Sequence, residues 1–276
     1  MKITGKTKVI ALLGYPVTHS LSPLMHNTAF EHLGLDYCYV TFSVKPEMLK
    51  DAVEAIRTLN MTGVNVTVPH KENVIPFLDK LDKEALAIGA VNTIVNKDGR
   101  LIGYNTDGKG FMKSLSEQGI KTKTKTVLIL GAGGASKAIS YYLTEKAKGL
   151  YIYDIDIGKA EKLIGDLQRL GKTNVFFMDS PRNISDMDII VNATPLGLKD
   201  SDPIPLDISL IRPSHIIGDL IYKETPLLKK AGRKGCRTFN GLGMLLWQGV
   251  FAFELWTGVK PPHELMRKSL YLFTSH

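Results

Sequence analysis

Val127-Leu-Ile-Leu-Gly131-Ala-Gly133-Gly-Ala-Ser136 is the stretch that decides the fold. Four apolar residues in a row suit a strand buried on both faces, as in a parallel sheet. The glycines that follow make a turn, and the small residues after them open a helix. Gly131 allows the tight turn, Gly133 lets a pyrophosphate approach the backbone at the helix N-terminus, and Ser136 is small enough for close helix packing. An acid, Asp154, stands after the second strand, near the roughly 20-residue spacing at which a dinucleotide fold places its ribose-binding carboxylate. Strand, glycine turn, helix and acid together predict a dinucleotide-binding, Rossmann-like doubly wound unit.

Outward from that turn the alternation continues. Strands are expected at 150–153, 175–178, 188–192, 215–219 and 237–240, with helices at 136–144 and 158–170. Before the turn the texture is mixed. Strands are expected at 9–13, 37–42, 64–68, 90–95 and 101–104, the last two joined at a Lys97-Asp-Gly99 turn. Helices are expected from Ser22, read as an N-cap ahead of Pro23, to Gly34, over 46–60, partly over 71–82, and from Asp107 to Gly119. Two helices broken at Lys260-Pro-Pro262 close the chain. The fold class is therefore α/β, and 276 residues suit two domains.

Composition narrows the function. Hydrophobic residues make up 44% and charged residues 22%, ordinary for a globular protein with ample core. Cys38 and Cys236 lie far apart and in no motif, which argues against a disulfide framework or a cysteine metal site and fits the reducing cytoplasm. No apolar run approaches the ~20 residues that span a bilayer, and the N-terminal run lacks a signal-peptide pattern. The net charge of +8 is spread out; its densest run, Lys121-Thr-Lys-Thr-Lys125, reads as a solvated linker, so no nucleic-acid partner is expected and a small anionic substrate is. No histidine pair has the four-residue spacing of a helical zinc site, and no metal is expected.

Asp154 also bears on which dinucleotide binds. Its carboxylate suits both ribose hydroxyls of NAD, whereas the 2′-phosphate of NADP would meet Asp154 and Asp156, offset only by Lys159. Two like charges ~4 Å apart repel by roughly 4 kcal/mol at an effective dielectric near 20. NAD is expected to be favoured over NADP.

Four segments of the first half carry polar groups where a core would not want them. They are Thr18-His-Ser20-Leu-Ser22-Pro, Asn65-Val-Thr67-Val-Pro-His-Lys71, Gly89-Ala-Val-Asn92-Thr93 and Tyr104-Asn-Thr-Asp107-Gly. In the second, Val64, Val66 and Val68 alternate with Asn65 and Thr67, so one strand face is plain core and the other polar. Each segment alone has a bland explanation. Together they supply the hydroxyls, amides, ammonium and carboxylate that would bind a small polyhydroxy acid.

These segments, with Gly14-Tyr-Pro, Gly131-Ala-Gly-Gly-Ala135, Asn192-Ala-Thr-Pro-Leu-Gly197 and Asn240-Gly-Leu-Gly-Met244 followed by Gln248, resemble the motifs of the shikimate dehydrogenase family, in family order from end to end. The resemblance implies a substrate domain over 1–108 plus 241–276, a dinucleotide domain over 109–240, and reversible NAD(P)H-dependent reduction of 3-dehydroshikimate to shikimate in aromatic amino-acid biosynthesis. It implies Lys71 and Asp107 as the catalytic pair, Ser20, Ser22 and Thr67 as carboxylate binders, and Asn65, Asn92, Asp107 and Gln248 as hydroxyl binders. Tyr222 is implied near nicotinamide and substrate. Gly131, Ala132, Gly133, Gly134, Ala135, Asp154, Thr194 and Gly243 are implied at the cofactor. The expected protein is a cytoplasmic monomer or homodimer.

The sequence departs from the family pattern at two places. Asp154-Ile-Asp156 stands where NADP-using members carry an Asn-Arg-Ser/Thr-like run, which brings the NAD-using quinate/shikimate branch nearer. The loop Asp219-Leu-Ile-Tyr222-Lys-Glu-Thr225 lacks the family's proline after the tyrosine. Quinate as substrate, a non-catalytic dinucleotide sensor and a nucleic-acid binder are the alternatives. Only the catalytic readings need Lys71 and Asp107 together.

Overall fold

Lys8–Gly14 is the first strand, β1, and its alternation sorts the first core: Ala11 and Leu13 face one side, Ile10 and Leu12 the other. In this computed structural model, which describes residues 2–199 and 201–274, the chain divides into two compact units. One runs to Gly110 and resumes at Leu245; the other is Phe111–Met244.

The first unit continues through α1 (Ser22–His32), β2 (Tyr37–Ser43), α2 (Leu49–Thr58), β3 (Gly63–Val66), β4 (Lys80–Leu81), α3 (Lys83–Ile88), β5 (Thr93–Lys97), β6 (Arg100–Tyr104) and the start of α4 (Asp107–Glu117). Its sheet runs β2-β1-β3-β5-β6-β4, parallel from β2 to β3 and antiparallel across β3-β5-β6. The β5–β6 turn takes Asp98 and Gly99 to positive φ, as a two-residue hairpin requires. One sheet face packs Ala11, Leu13, Val64, Val66 and Ile94 against Leu49, Val53 and Ile56 of α2.

The second unit contains the rest of α4, then β7 (Thr126–Leu130), α5 (Gly134–Lys146), β8 (Gly149–Tyr153), α6 (Ile157–Arg169), β9 (Val175–Phe177), β10 (Ile189–Asn192), β11 (Ile216–Asp219), α7 (Pro226–Arg233) and β12 (Arg237–Phe239). Its strands, in the order β12-β11-β10-β7-β8-β9, are all parallel. Val127 and Ile129 of β7 join one apolar cluster with α5 and α6, and Leu128 and Leu130 join another with α7. A strand buried on both faces has to be apolar throughout, and this one is. The order reverses between β7 and β10, the switch point at which open α/β sheets bind ligands.

Helix α8 (Leu242–Thr257) and helix α9 (His263–Thr274) follow. Trp256 of α8 donates its indole N–H to the Ile94 carbonyl at 3.0 Å. The crossing leaves no room for a side chain on Gly63, whose Cβ would strike Trp256 and the Ile94 oxygen. Phe30 of α1 and Phe253 of α8 stack with centroids 4.9 Å apart, and burying each ring contributes about 1.5–3 kcal/mol. Among the described residues no helix is long and apolar enough to cross a membrane.

The structure corrects several local expectations. Ser22 is the first residue of α1, not its N-cap; Leu21 holds that position, and the Ser22 N–H is taken by the Ser20 hydroxyl at 3.2 Å. The strand expected to reach Val68 ends at Val66. The helix expected in part over 71–82 is reduced to one 3-10 turn, Ile75–Phe77. Two short helices, α3 and α7, stand where none was expected.

Candidate active site

Lys71 leaves the turn after β3, and Asp107 is the first residue of α4. The Lys71 ammonium donates to Asp107 Oδ2 at 2.6 Å. The side chains are 15% and 5% exposed, so the pair sits where either charge alone would be costly. The helix start favours the carboxylate, since unpaired N–H groups concentrate there. Asn105 Oδ1 accepts the Asp107 N–H at 3.1 Å, and the Lys71 carbonyl accepts the Val91 N–H at 2.8 Å. Both ends of the pair are thus fixed by their own backbone.

Asn92 is the hub. Its amide donates to Asp107 Oδ1 at 2.9 Å and to the Thr106 hydroxyl at 2.9 Å, and lies 3.4 Å from Gln248 Oε1. Asn65 sits one strand over and donates to the Asn92 carbonyl at 3.0 Å and to Thr93 Oγ1 at 3.1 Å. Its own oxygen accepts the Tyr39 hydroxyl at 2.7 Å. The polar face of β3 therefore looks onto a hydrogen-bonded cluster. Lys71, Asp107, Asn65, Asn92 and Gln248, expected from sequence, meet in it. Asn65 spends both amide hydrogens within the protein, so it organises the site more than it offers a free donor. Tyr39, Thr93, Asn105 and Thr106 complete the cluster without having been assigned a role from sequence. Tyr39 pairs with Ile10, on the Leu12 and Asn65 side of the sheet, a register that the sequence alone does not give.

Ser20 and Ser22 lie at the start of α1, Ser20 half-buried and Ser22 buried. Thr67, half-buried, follows β3, and its methyl packs so close to Gly14 that a Cβ there would collide with it. These hydroxyls belong to the same unit as Lys71 and Asp107.

The remaining expected residues lie in the second unit. Gly131 takes φ +104°, and a Cβ on it would meet the Ala193 carbonyl carbon and oxygen at 3.1 Å. Gly133 precedes α5 with no side-chain cap, and nothing lies within 4 Å of where its Cβ would be. A turn with open space over an uncapped 13-residue helix fits a pyrophosphate, whose oxygens would take the N–H groups of Gly133, Gly134 and Ala135. Thr194 bonds Asn192 Oδ1 through its hydroxyl at 2.6 Å and braces the loop after β10. Gly243 lets α8 close on α4, since a Cβ there would collide with Ser114. Tyr222 follows β11, half-buried, and burial pushes its hydroxyl above the ordinary tyrosine value. Beside it, buried Asp219 accepts from Asn192 at 3.1 Å, Thr225 at 2.8 Å and the Ile221 N–H at 3.0 Å; burial raises its carboxyl despite those bonds. Among the described residues no group of three His, Cys, Asp or Glu side chains could hold a metal ion.

Comparison with known proteins gives the family. A family model described as the shikimate dehydrogenase substrate binding domain matches residues 12–94, and one described as the shikimate 5′-dehydrogenase C-terminal domain matches residues 241–271. A relative from Desulforamulus reducens, named shikimate dehydrogenase (NADP(+)), is 46% identical over 281 residues, covering 98% of this chain and 97% of its own length. A crystal structure of a shikimate dehydrogenase in complex with NADP+ is similar with a TM-score of 0.92 at 40% identity, covering 100% of this chain and 98% of that one. Another, from Listeria monocytogenes in complex with shikimate and NAD, has a TM-score of 0.87 at 40% identity and covers 98% of each chain.

The NADP+ enzymes among these relatives overturn the expectation that NAD is favoured. The structure shows why Asp154 and Asp156 misled. Asp154 turns inward: its two oxygens accept the Ala132 N–H at 2.7 Å and the Asp156 N–H at 2.9 Å. Asp156 caps α6 through the Lys159 N–H at 3.3 Å and faces the Lys159 ammonium at 3.4 Å. Asp154 is thus engaged with the backbone of the glycine turn, and the charge of Asp156 is paired with Lys159.

Proposed function

The chain belongs to the shikimate dehydrogenase family, and from that membership we propose that it catalyses the reversible NADP(H)-linked reduction of 3-dehydroshikimate to shikimate. The observation that carries the assignment to residues is the buried Lys71–Asp107 pair, 2.6 Å apart and tied to Asn92. The first unit serves the substrate and the second the dinucleotide. Ser20, Ser22 and Thr67 hold the acid's carboxylate, and Asn92, Asp107 and Gln248 hold its ring hydroxyls.

When bound, the reduced nicotinamide supplies the hydride. Lys71 supplies the rest of the reaction. Its ammonium lies against the ketone oxygen, offsets the negative charge that develops there, and gives that oxygen a proton. Asp107 keeps the ammonium aimed, and accepts a bond from a neighbouring ring hydroxyl. In the reverse direction the neutral amine takes the hydroxyl proton. The glycine turn and the start of α5 hold the pyrophosphate.

Lys71→Ala is expected to lower kcat by about 10²–10⁴-fold while KM for 3-dehydroshikimate changes by no more than a fewfold, because the lost interaction is made with charge present only in the transition state. Steady-state assays with NADPH measure this. Near-normal turnover in a folded variant refutes the assignment. The same assay with shikimate and quinate as alternative substrates reads the width of the acid pocket. Cytoplasmic residence suits two free, buried cysteines, and the protein acts as a monomer or homodimer.

A further inference from the structure

The polar groups behind Lys71 and Asp107 form a directed series, and backbone atoms fix its sense. Thr106 N–H, which can only donate, points at Asn92 Oδ1 from 2.8 Å, so the other end of that amide is the NH₂ that reaches Asp107. The Asn92 carbonyl, which can only accept, lies 3.0 Å from the Asn65 amide nitrogen, so Asn65 Oδ1 is the end facing Tyr39. An amide oxygen cannot donate, and the Tyr39 hydroxyl therefore spends its one proton on it. Asn65 donates in turn to Thr93 Oγ1 at 3.1 Å, and the Thr93 hydroxyl to Asn92 Oδ1 at 3.0 Å. From Tyr39 through Asn65, Thr93 and Asn92 to Asp107, every donor points the same way.

Tyr39 stands at the head of this series and is held rigidly. It is 1% exposed. The His26 ring stacks on it, centroids 4.6 Å apart and planes 16° apart, and Trp256 lies at 6.1 Å. Burial holds His26 down to about 3, so its ring is an uncharged wall throughout the neutral range.

We propose that Tyr39 is a positioning residue of the reaction: by donating to Asn65 it keeps the Asn65–Thr93–Asn92 series in order, and through Asn92 it keeps Asp107 placed for Lys71. The inference rests on the Lys71–Asp107 reading above. Without the Tyr39 hydroxyl, a buried amide oxygen is left unsatisfied, and it recovers a partner only by rotating Asn65 and loosening Asn92.

Tyr39→Phe removes one oxygen and nothing else. Expected are a fall in kcat of about tenfold and KM values for 3-dehydroshikimate and NADPH within about twofold of the parent. Thr93→Val breaks the next link with little change in shape and is expected to do the same. The double variant is expected to lose no more than about twofold beyond either single change, because both cut one series. Phe253→Leu, which loosens the aromatic packing beside His26 and touches no link, is expected to lower Tm with kcat within about twofold. Unchanged kcat in folded Tyr39→Phe, independent losses in the double variant, or an equal kcat loss in Phe253→Leu each overturn the proposal. If Tyr39→Phe does not fold, unchanged kcat in Thr93→Val overturns it alone. A parent chain that fails to reduce 3-dehydroshikimate refutes the reaction reading instead. The series is then judged by hydrogen exchange at the Asn65 and Asn92 side-chain amides. Tyr39→Phe, or Thr93→Val in its place, speeds that exchange at least about tenfold if the series exists and leaves it unchanged if it does not.

Discussion

Gly131 and Gly133 stand two residues apart and do different work. Gly131 is required by the chain itself: its φ of +104° and the Ala193 carbonyl 3.1 Å from a Cβ position exclude a side chain on both counts. Gly131→Ala is expected to destabilise the protein by about 1–3 kcal/mol, read from urea unfolding. Gly133 has an ordinary φ of −80° and open space around its Cβ position, so the fold tolerates alanine there. Gly133→Ala is expected to keep or slightly raise Tm, while the methyl occupies the pyrophosphate's approach and weakens NADPH binding at least about tenfold. Unweakened NADPH binding in that variant, by titration of intrinsic fluorescence, would move the dinucleotide elsewhere. Both glycines were legible in sequence because a turn between strand and helix leaves few alternatives. Asp154 was legible in place and misread in purpose. Spacing located the carboxylate beside the turn, but only coordinates show its oxygens spent on Ala132 and Asp156. Ser22 failed for a related reason: it is a good cap by type, but the helix register puts Leu21 at the N-cap and Ser22 inside the first turn.

Helix α1, strand β2 and helix α8 meet in an aromatic layer with His26 inside it. The ring faces Phe30, Tyr39, Phe253 and Trp256, and neither nitrogen has a hydrogen-bond partner among the described residues. Burial lowers its pKa from 6.5 to about 3. Below pH 6.5 the unfolded chain takes up a proton that the folded chain refuses. The stability contributed by the neutral ring is therefore complete above that pH and is lost as pH falls toward about 3. The loss has a slope of up to about 1.4 kcal/mol per pH unit. His26→Phe is expected to remove this component and to leave stability at pH 7 unreduced, since it trades two unpaired nitrogens for carbon. Urea midpoints of parent and variant between pH 7 and pH 4 measure it; parallel curves would show that His26 is not the group responsible. At this scale the long elements were legible and the short ones were not. The strands of the parallel sheet carry unbroken apolar runs, whereas α3 has 6 residues and α7 has 8, too few for a helical period to stand out. The turn at Lys71 was taken partly for helix because its backbone is held by partners distant in sequence, such as Val91.

The chain leaves the first unit near Gly110, completes the second, and returns near Leu245. Sequence motifs showed the β-α-β alternation of the middle, but the return of the C-terminal helices to the first unit rested on family resemblance, because nothing local in α8 names its partner. What ties it there is specific: the Trp256 indole on the Ile94 carbonyl and Gln248 beside Asn92. The apolar clusters respect the same division. Every buried member of the two clusters flanking the parallel sheet lies between Phe111 and Met244, and the α2 cluster of the first unit draws only on residues 11–101. A core closed within one continuous segment needs no other part of the chain to bury it. A fragment spanning residues 107–246, which keeps α4 whole, is therefore expected to fold cooperatively. It should bind NADPH within about tenfold of the intact protein's affinity and bind no shikimate, because Lys71, Asn92 and Thr67 are absent from it. Calorimetric titration with each ligand tests the division of labour. Shikimate binding to the fragment would contradict the placing of the acid on the first unit, and a folded fragment blind to NADPH would contradict the placing of the dinucleotide on the glycine turn.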